Sequence, residues 1–154
     1  MKEKHIRMYM EIAEVMAKQS YAERLKVGAV IVRDHRILSV GYNGTPPGMS
    51  NVCEELYEDI EHVPTNDGDT YIKVMKQRTN ANVIHAEMNT VLKLARDGES
   101  GKGADFFITH SPCFECSKAL LTIGIKKVYY RSQYRNTVGI DLLTQNGVEV
   151  EQVS

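Results

Sequence analysis

The chain is short of several features that would each assign it to a class. It has only three cysteines in 154 residues, too few and odd in number for the disulfide framework of a small secreted protein, so a reducing compartment fits better. No apolar run approaches the ~20 residues of a membrane-spanning helix, and the charged stretch Met1–Arg7 is followed by neither an apolar segment nor a cleavage site. A cytoplasmic protein with no membrane partner is expected. An excess of one charge is lacking too: 19 Lys and Arg stand against 20 Asp and Glu. Such a balance supplies no whole-chain field for a nucleic acid and favours a small substrate. With no internal repeat and no low-complexity segment, residues 1–154 read as a single domain, long enough to bury an ordinary core.

Hydrophobic periodicity then orders the chain. Ile6, Tyr9, Met10, Ala13, Met16 and Ala17 recur at helical spacing between Lys4 and Gln19, which predicts a packing helix with His5 in solvent at its start. Val27 to Arg33 and Ile37 to Tyr42 are rich in β-branched residues and flank Asp34-His35-Arg36, the pattern of a hairpin. Gly28 and Gly41 sit where close backbone approach would be useful. Gly41 to Gly48 forms a Gly/Pro loop able to present Asn43. The acidic stretch Met49 to Asp69 reads as a long connection with a helical turn that could cover a site, and Thr70 to Arg78 as helical. A helix from Met88 to Arg96, a strand from Ala104 to His110, a helix from Ser117 to Gly124, a strand from Lys127 to Arg131, a helix from Val138 to Asn146 and a strand from Val148 to Val153 follow. Alternating strands and helices at this spacing imply right-handed parallel crossovers. The fold class is therefore α/β: a three-layer α/β/α sandwich on a mixed five-stranded sheet.

Two short stretches carry the chemistry: His85-Ala86-Glu87 and Ser111-Pro112-Cys113-Phe114-Glu115-Cys116. Cys113 and Cys116 are three apart after a proline at a helix start, so both sulfurs can share one face of the first turn. The partial positive charge of a helix N-terminus lowers thiol pKa values and favours the thiolates that a metal requires. Two thiolates and one imidazole suit tetrahedral zinc rather than magnesium or calcium, and three protein ligands leave one position open. Glu87, two residues after His85, is placed beside that position without being a ligand, as a proton shuttle would be.

His-Ala-Glu opening one helix and Pro-Cys-x-x-Cys opening the next, with a strand between them, is the signature of zinc-dependent deaminases. Together with Gly41-Tyr42-Asn43-Gly44 after the second strand, it makes the chain resemble the deoxycytidylate (dCMP) deaminases of the cytidine deaminase-like superfamily, from about Ser20 to the C-terminus. The resemblance implies hydrolysis of dCMP to dUMP and ammonia, supplying dUMP for thymidylate synthesis. It places the zinc on His85, Cys113 and Cys116, and proton transfer on Glu87. Asn43 is implied to touch the sugar, Ser111 to line the base pocket, Tyr134 to pack near the base and Ala86 to contact the substrate.

Family properties further imply dCTP as activator, dTTP as inhibitor and a homo-oligomer, a hexamer foremost, with Gly44 of the glycine loop and Arg96, near Lys93, at effector or subunit contacts. Some relatives add a structural zinc through upstream cysteine and histidine ligands. Ser20 to Arg24 lacks a cysteine and Cys53 stands alone, so one zinc per subunit is expected. A 5′-phosphate needs local cations, for which Arg24, Lys26, Arg131 and Arg135 are candidates. Lys26 is preferred because Val27-Gly28-Ala29 follows it. The alternatives are a deaminase of the same fold acting on cytosine, a nucleoside, guanine or tRNA adenosine, and a non-catalytic zinc-binding module.

Overall fold

A computed structural model describes residues 1–154. In chain order its elements are α1 (Glu3–Ala17), β1 (Gly28–Arg33), β2 (Arg36–Tyr42), β3 (Glu54–Thr65), β4 (Gly68–Thr79), α2 (Ala86–Arg96), β5 (Asp105–His110), α3 (Phe114–Thr122), β6 (Lys127–Ser132), α4 (Val138–Gln145) and β7 (Glu149–Gln152). Five strands form one sheet in the order β2-β1-β5-β6-β7. The β1 strand is antiparallel to both β2 and β5, whereas β5, β6 and β7 are parallel. The expected mixed five-stranded sheet is therefore present. Asp34 and His35 make its first turn with positive φ (51° and 63°), and Arg36 already pairs with Arg33 as part of β2.

Strand alternation divides the core between two helical layers. Ala29, Ile31, Phe106, Ile108, Val128 and Tyr130 face α2, α3 and α4, where they meet Val91, Leu94, Leu120 and Leu143. The residues between them, Val30, Val32, Phe107 and Tyr129, face Ile6, Tyr9, Met10 and Ala13 of α1. Because both faces of β1 and β5 are covered, each reads as a continuous apolar run rather than as alternation. Two glycines let the layers close. A Cβ at Gly28 would lie 2.1 Å from the Ala13 carbonyl oxygen, and one at Gly41 would lie 2.3 Å from Thr90 Oγ1 of α2. Gly41 thus sets how near the start of α2 comes to the sheet.

Two expectations are corrected. The stretch from Met49 to Arg78 contains no helix: β3 and β4 form a two-stranded antiparallel ribbon in register from Glu54↔Thr79 to Thr65↔Gly68. Its turn is Asn66-Asp67, and Gly68 adopts φ +128°, a conformation that favours glycine. Cross-strand ion pairs stand where apolar alternation would have signalled strands: Arg78 with Glu55 at 2.7 Å, Lys76 with Asp59 at 2.7 Å and with Glu61 at 2.8 Å. Pro64 is tolerated because both strands of the ribbon are edges. The second correction is His5, which is half-buried, its ring edge-on to His35 with centroids 4.6 Å apart.

Candidate metal centre and cavity

The starts of α2 and α3 meet on one side of the sheet. His85 is the extended residue before α2 (φ −64°, ψ 154°), and Cys113 the extended residue before α3 (φ −72°, ψ 168°). The two motifs open their helices as expected, with Glu87 and Cys116 in first turns, but Cys113, expected within the first turn, stands just ahead of α3 as His85 stands just ahead of α2. Pairing of Gly44 with Ile84, by Gly44 N–H to Ile84 O at 3.1 Å and Ile84 N–H to Gly44 O at 2.9 Å, ties the glycine loop to the backbone immediately before His85.

His85 Nδ1 is 3.7 Å from Cys113 Sγ and 3.6 Å from Cys116 Sγ, and the three ligand atoms all lie within 4.8 Å of one another. Tetrahedral zinc, with bonds of ~2.3 Å to sulfur and ~2.05 Å to nitrogen, requires a nitrogen–sulfur separation of about 3.6 Å. The donor set and its spacing fit one zinc ion. Cys113 is held down, to about 4, by its hydrogen bonds with Cys116 and His85, whereas Cys116 is pushed up by the same bond with Cys113 and by burial. Metal binding would require both sulfurs as thiolates.

Glu87 lies beside the cluster and is only 4% exposed. Burial raises its carboxyl to about 7, opposed by a hydrogen bond to its own backbone N–H and by the charge of His85. His85, Glu87 and Cys113 line a cavity of about 360 Å³, large enough for a small ligand.

The structure brings most of the sequence-predicted residues to this cavity. Ala86, buried, is on its wall, as are Asn43, Ser111 and Tyr134. Ser111 Oγ accepts the Tyr134 N–H at 2.7 Å, so the serine fixes the Gln133–Arg135 loop. Asn43 Oδ1 accepts the Val27 N–H at 2.8 Å and its Nδ2 donates to the Leu25 carbonyl at 2.8 Å. Both ends of that amide thus hold the loop between α1 and β1.

Lys26 is exposed and does not line the cavity; Arg24 and Arg135 do. Arg131 is engaged elsewhere, with Glu14 of α1 at 2.8 Å and the Val153 carbonyl at 3.2 Å. Arg96 pairs with its neighbour Asp97, and Lys93 donates to the Val40 carbonyl at 3.3 Å, away from the metal cluster.

Sequence reasoning missed His110, Glu54 and Thr79, all on the cavity wall. His110 closes a strand that was anticipated, and its position at the strand's carboxyl end was the available signal. Burial holds its imidazole below the ordinary histidine range. Glu54 and Thr79 face each other at the root of the ribbon, and no local pattern announced that root.

A three-ligand zinc-type cluster with a buried carboxylate beside it, on an α/β/α sandwich, defines a metal-dependent hydrolytic enzyme class. The family model described as cytidine and deoxycytidylate deaminase zinc-binding region matches residues 3–132. The chain is 37% identical to ComE operon protein 2 of Bacillus subtilis over 94% of its own length and 69% of that protein, and 35% identical to the deoxycytidylate deaminase of phage T4 over 94% and 87%. The dCMP deaminase of cyanophage S-TIM5, solved in complex with dCMP and dUMP, superposes with a TM-score of 0.82 at 43% identity and covers 99% of both chains. This chain belongs to the cytidine and deoxycytidylate deaminase family.

Proposed function

We propose that this protein hydrolyses dCMP to dUMP and ammonia. One observation carries the reading. A single cavity is lined by His85 and Cys113 of the metal cluster and by Glu87, together with two arginines, Arg24 and Arg135, so a base and a 5′-phosphate can be recognised by one pocket. Zinc held by His85, Cys113 and Cys116 would supply Lewis acidity to the attacking water. Glu87 takes a proton from the attacking water as its oxygen bonds to C4 of the cytosine and passes that proton to N3. Glu87 then carries the proton of the new C4 hydroxyl to the amino group, the C4–N4 bond breaks as C4=O forms, and ammonia leaves. Ala86 and Ser111 shape the base pocket and Tyr134 closes it. Asn43 serves the sugar end through the loop it pins, and Arg24 and Arg135 take the phosphate in place of Lys26. Arg135 lies over the Tyr134 ring at 5.4 Å, which couples phosphate capture to the base wall.

The assay is steady-state ammonia release from dCMP, deoxycytidine, cytosine and guanine by the zinc-loaded protein. The expected result is highest kcat/KM on dCMP; absence of turnover on dCMP overturns the reading. In a cell the product would supply thymidylate synthesis, as cytoplasmic chemistry of one deaminase domain spanning residues 1–154. No helix is long and apolar enough to cross a membrane.

Self-association, with a hexamer as the expected state, is part of the same proposal. The ribbon supports it: Leu56, Ile60, Tyr71 and Met75 share one face by register and are 62–69% exposed, and a two-stranded ribbon is marginally stable uncovered. Residues 54–79 carry seven acidic and three basic side chains, a net of −4, which leaves +3 on the remainder of a chain whose total is −1. Ribbon and body are thus complementary in charge, and a second copy is the natural cover. Light scattering should give a mass above 17.4 kDa; a monomer at micromolar concentration removes the claim. Activation by dCTP and inhibition by dTTP belong to the same reading, with Gly44 and Arg96 as candidate effector contacts, and adding either nucleotide to the assay tests them.

A further inference from the structure

The loop from Ser20 to Lys26 has no helix or strand, yet it brings Ala22, Arg24 and Leu25 to the cavity wall. Three side chains hold it. Ser20 Oγ donates to the Asn43 carbonyl at 2.7 Å, the Asn43 amide pins Leu25 and Val27, and Glu54 reaches in from the ribbon root. One oxygen of Glu54 accepts two consecutive backbone N–H groups, those of Glu23 at 2.9 Å and Arg24 at 3.1 Å. Thr79, opposite Glu54 in the ribbon, accepts Arg24 Nη1–H at 3.3 Å, and Gln77 Nε2–H donates to Glu23 at 3.1 Å. The backbone of Arg24 and its guanidinium are therefore both held by the first rung of the ribbon.

We infer that Glu54 is a positioning residue for nucleotide selectivity: it fixes the backbone at Arg24, so the guanidinium meets the phosphate. The inference rests on the reading of Arg24 as a phosphate contact. A carboxylate facing a phosphate pocket would by itself repel the substrate. Its charge is instead directed at two N–H groups, where a carboxylate is the strongest acceptor available, and holding a pre-formed loop spares the ordering that binding would otherwise require. This also gives the ribbon a part in the site, although the metal ligands all come from the sandwich body.

The test measures kcat/KM on dCMP and on deoxycytidine for Glu54→Ala, Glu54→Gln, Thr79→Val and Arg24→Ala. Glu54→Ala should lower the dCMP-to-deoxycytidine ratio by ~10-fold, chiefly through KM, and speed deuterium exchange at the Glu23 and Arg24 amides. Glu54→Gln, which keeps the acceptor and removes the charge, should hold the ratio at or above that of the parent. Thr79→Val should lower it in the same direction by ~3-fold, which keeps the inference testable if Glu54→Ala does not fold. A ratio unchanged in Glu54→Ala and Thr79→Val while Arg24→Ala lowers it overturns the role of Glu54 alone. An unchanged ratio in Arg24→Ala overturns the phosphate reading and this inference with it. A Glu54→Gln loss as deep as that of Glu54→Ala shows that charge, not positioning, is at work.

Discussion

The sandwich body and the β3–β4 ribbon are held together by opposite means. In the body, Phe107 is fully buried, stacked on Tyr129 with centroids 4.6 Å apart and packed against Tyr9 at 5.3 Å. Its energy is apolar area removed from water. Along the ribbon, pairing is between charges in solvent, Lys73 with Glu58 at 2.8 Å and Lys76 with Asp59 and Glu61, each of small worth and weakened by salt. The body therefore carries the rigidity that a metal centre needs, while the ribbon reaches the cavity only through its first rung. A long, regular element can thus be energetically slight and still bear on specificity where it touches a loop.

The centre built by the body is the most sensitive point of the molecule. Cys116→Ala removes one of three ligands, so zinc and essentially all deamination should be lost together, as read by elemental analysis and ammonia release. Glu87→Gln should keep the zinc yet lower turnover by at least ~100-fold, the scale of lost acid–base help; near-normal turnover would remove the shuttle role. Away from the site, Phe107→Ala should reduce unfolding free energy by ~3–5 kcal/mol in a denaturant titration, whereas Lys76→Met should leave the body's unfolding midpoint unchanged and quicken exchange in the ribbon alone.

The smallest effect is on pH. Hydrogen bonding by Lys76, then by the Ile60 N–H, holds the Asp59 carboxyl below its ordinary value of 3.8. A carboxyl lowered on folding contributes stability that is present above the ordinary value and lost as pH falls through the folded one. Acidification from neutral to below that range should loosen the ribbon before the body, measured as faster amide exchange between Glu54 and Thr79. Simultaneous loosening of both would show that the ribbon is not a separate unit.

Much of this was legible from local pattern. The apolar runs at Val27–Arg33 and Ala104–His110 announced strands because burial on two faces leaves only apolar residues there. The helix of Ile6, Tyr9, Met10 and Ala13 announced itself by period. The ribbon escaped because its strands are joined by charged side chains: Glu55, Asp59 and Glu61 read as an acidic loop until Arg78 and Lys76 reach them from the other strand. Lys26 drew attention over Arg24 because it adjoins a strand and a glycine, whereas the loop's actual turn places Arg24 on the cavity wall and leaves Lys26 in solvent.

By itself the sequence determined the layered α/β architecture and the identity of the metal donors, since these follow from short-range periodicity and from residue chemistry at helix starts. The approach of His85 to Cys113 and Cys116 across 28 and 31 residues was decided only in three dimensions. So was the meeting of Glu54 with the Glu23 and Arg24 amides across 31 and 30. Contacts at such separations depend on how whole elements pack, and the loop ends they join carry no periodicity from which their positions could be read.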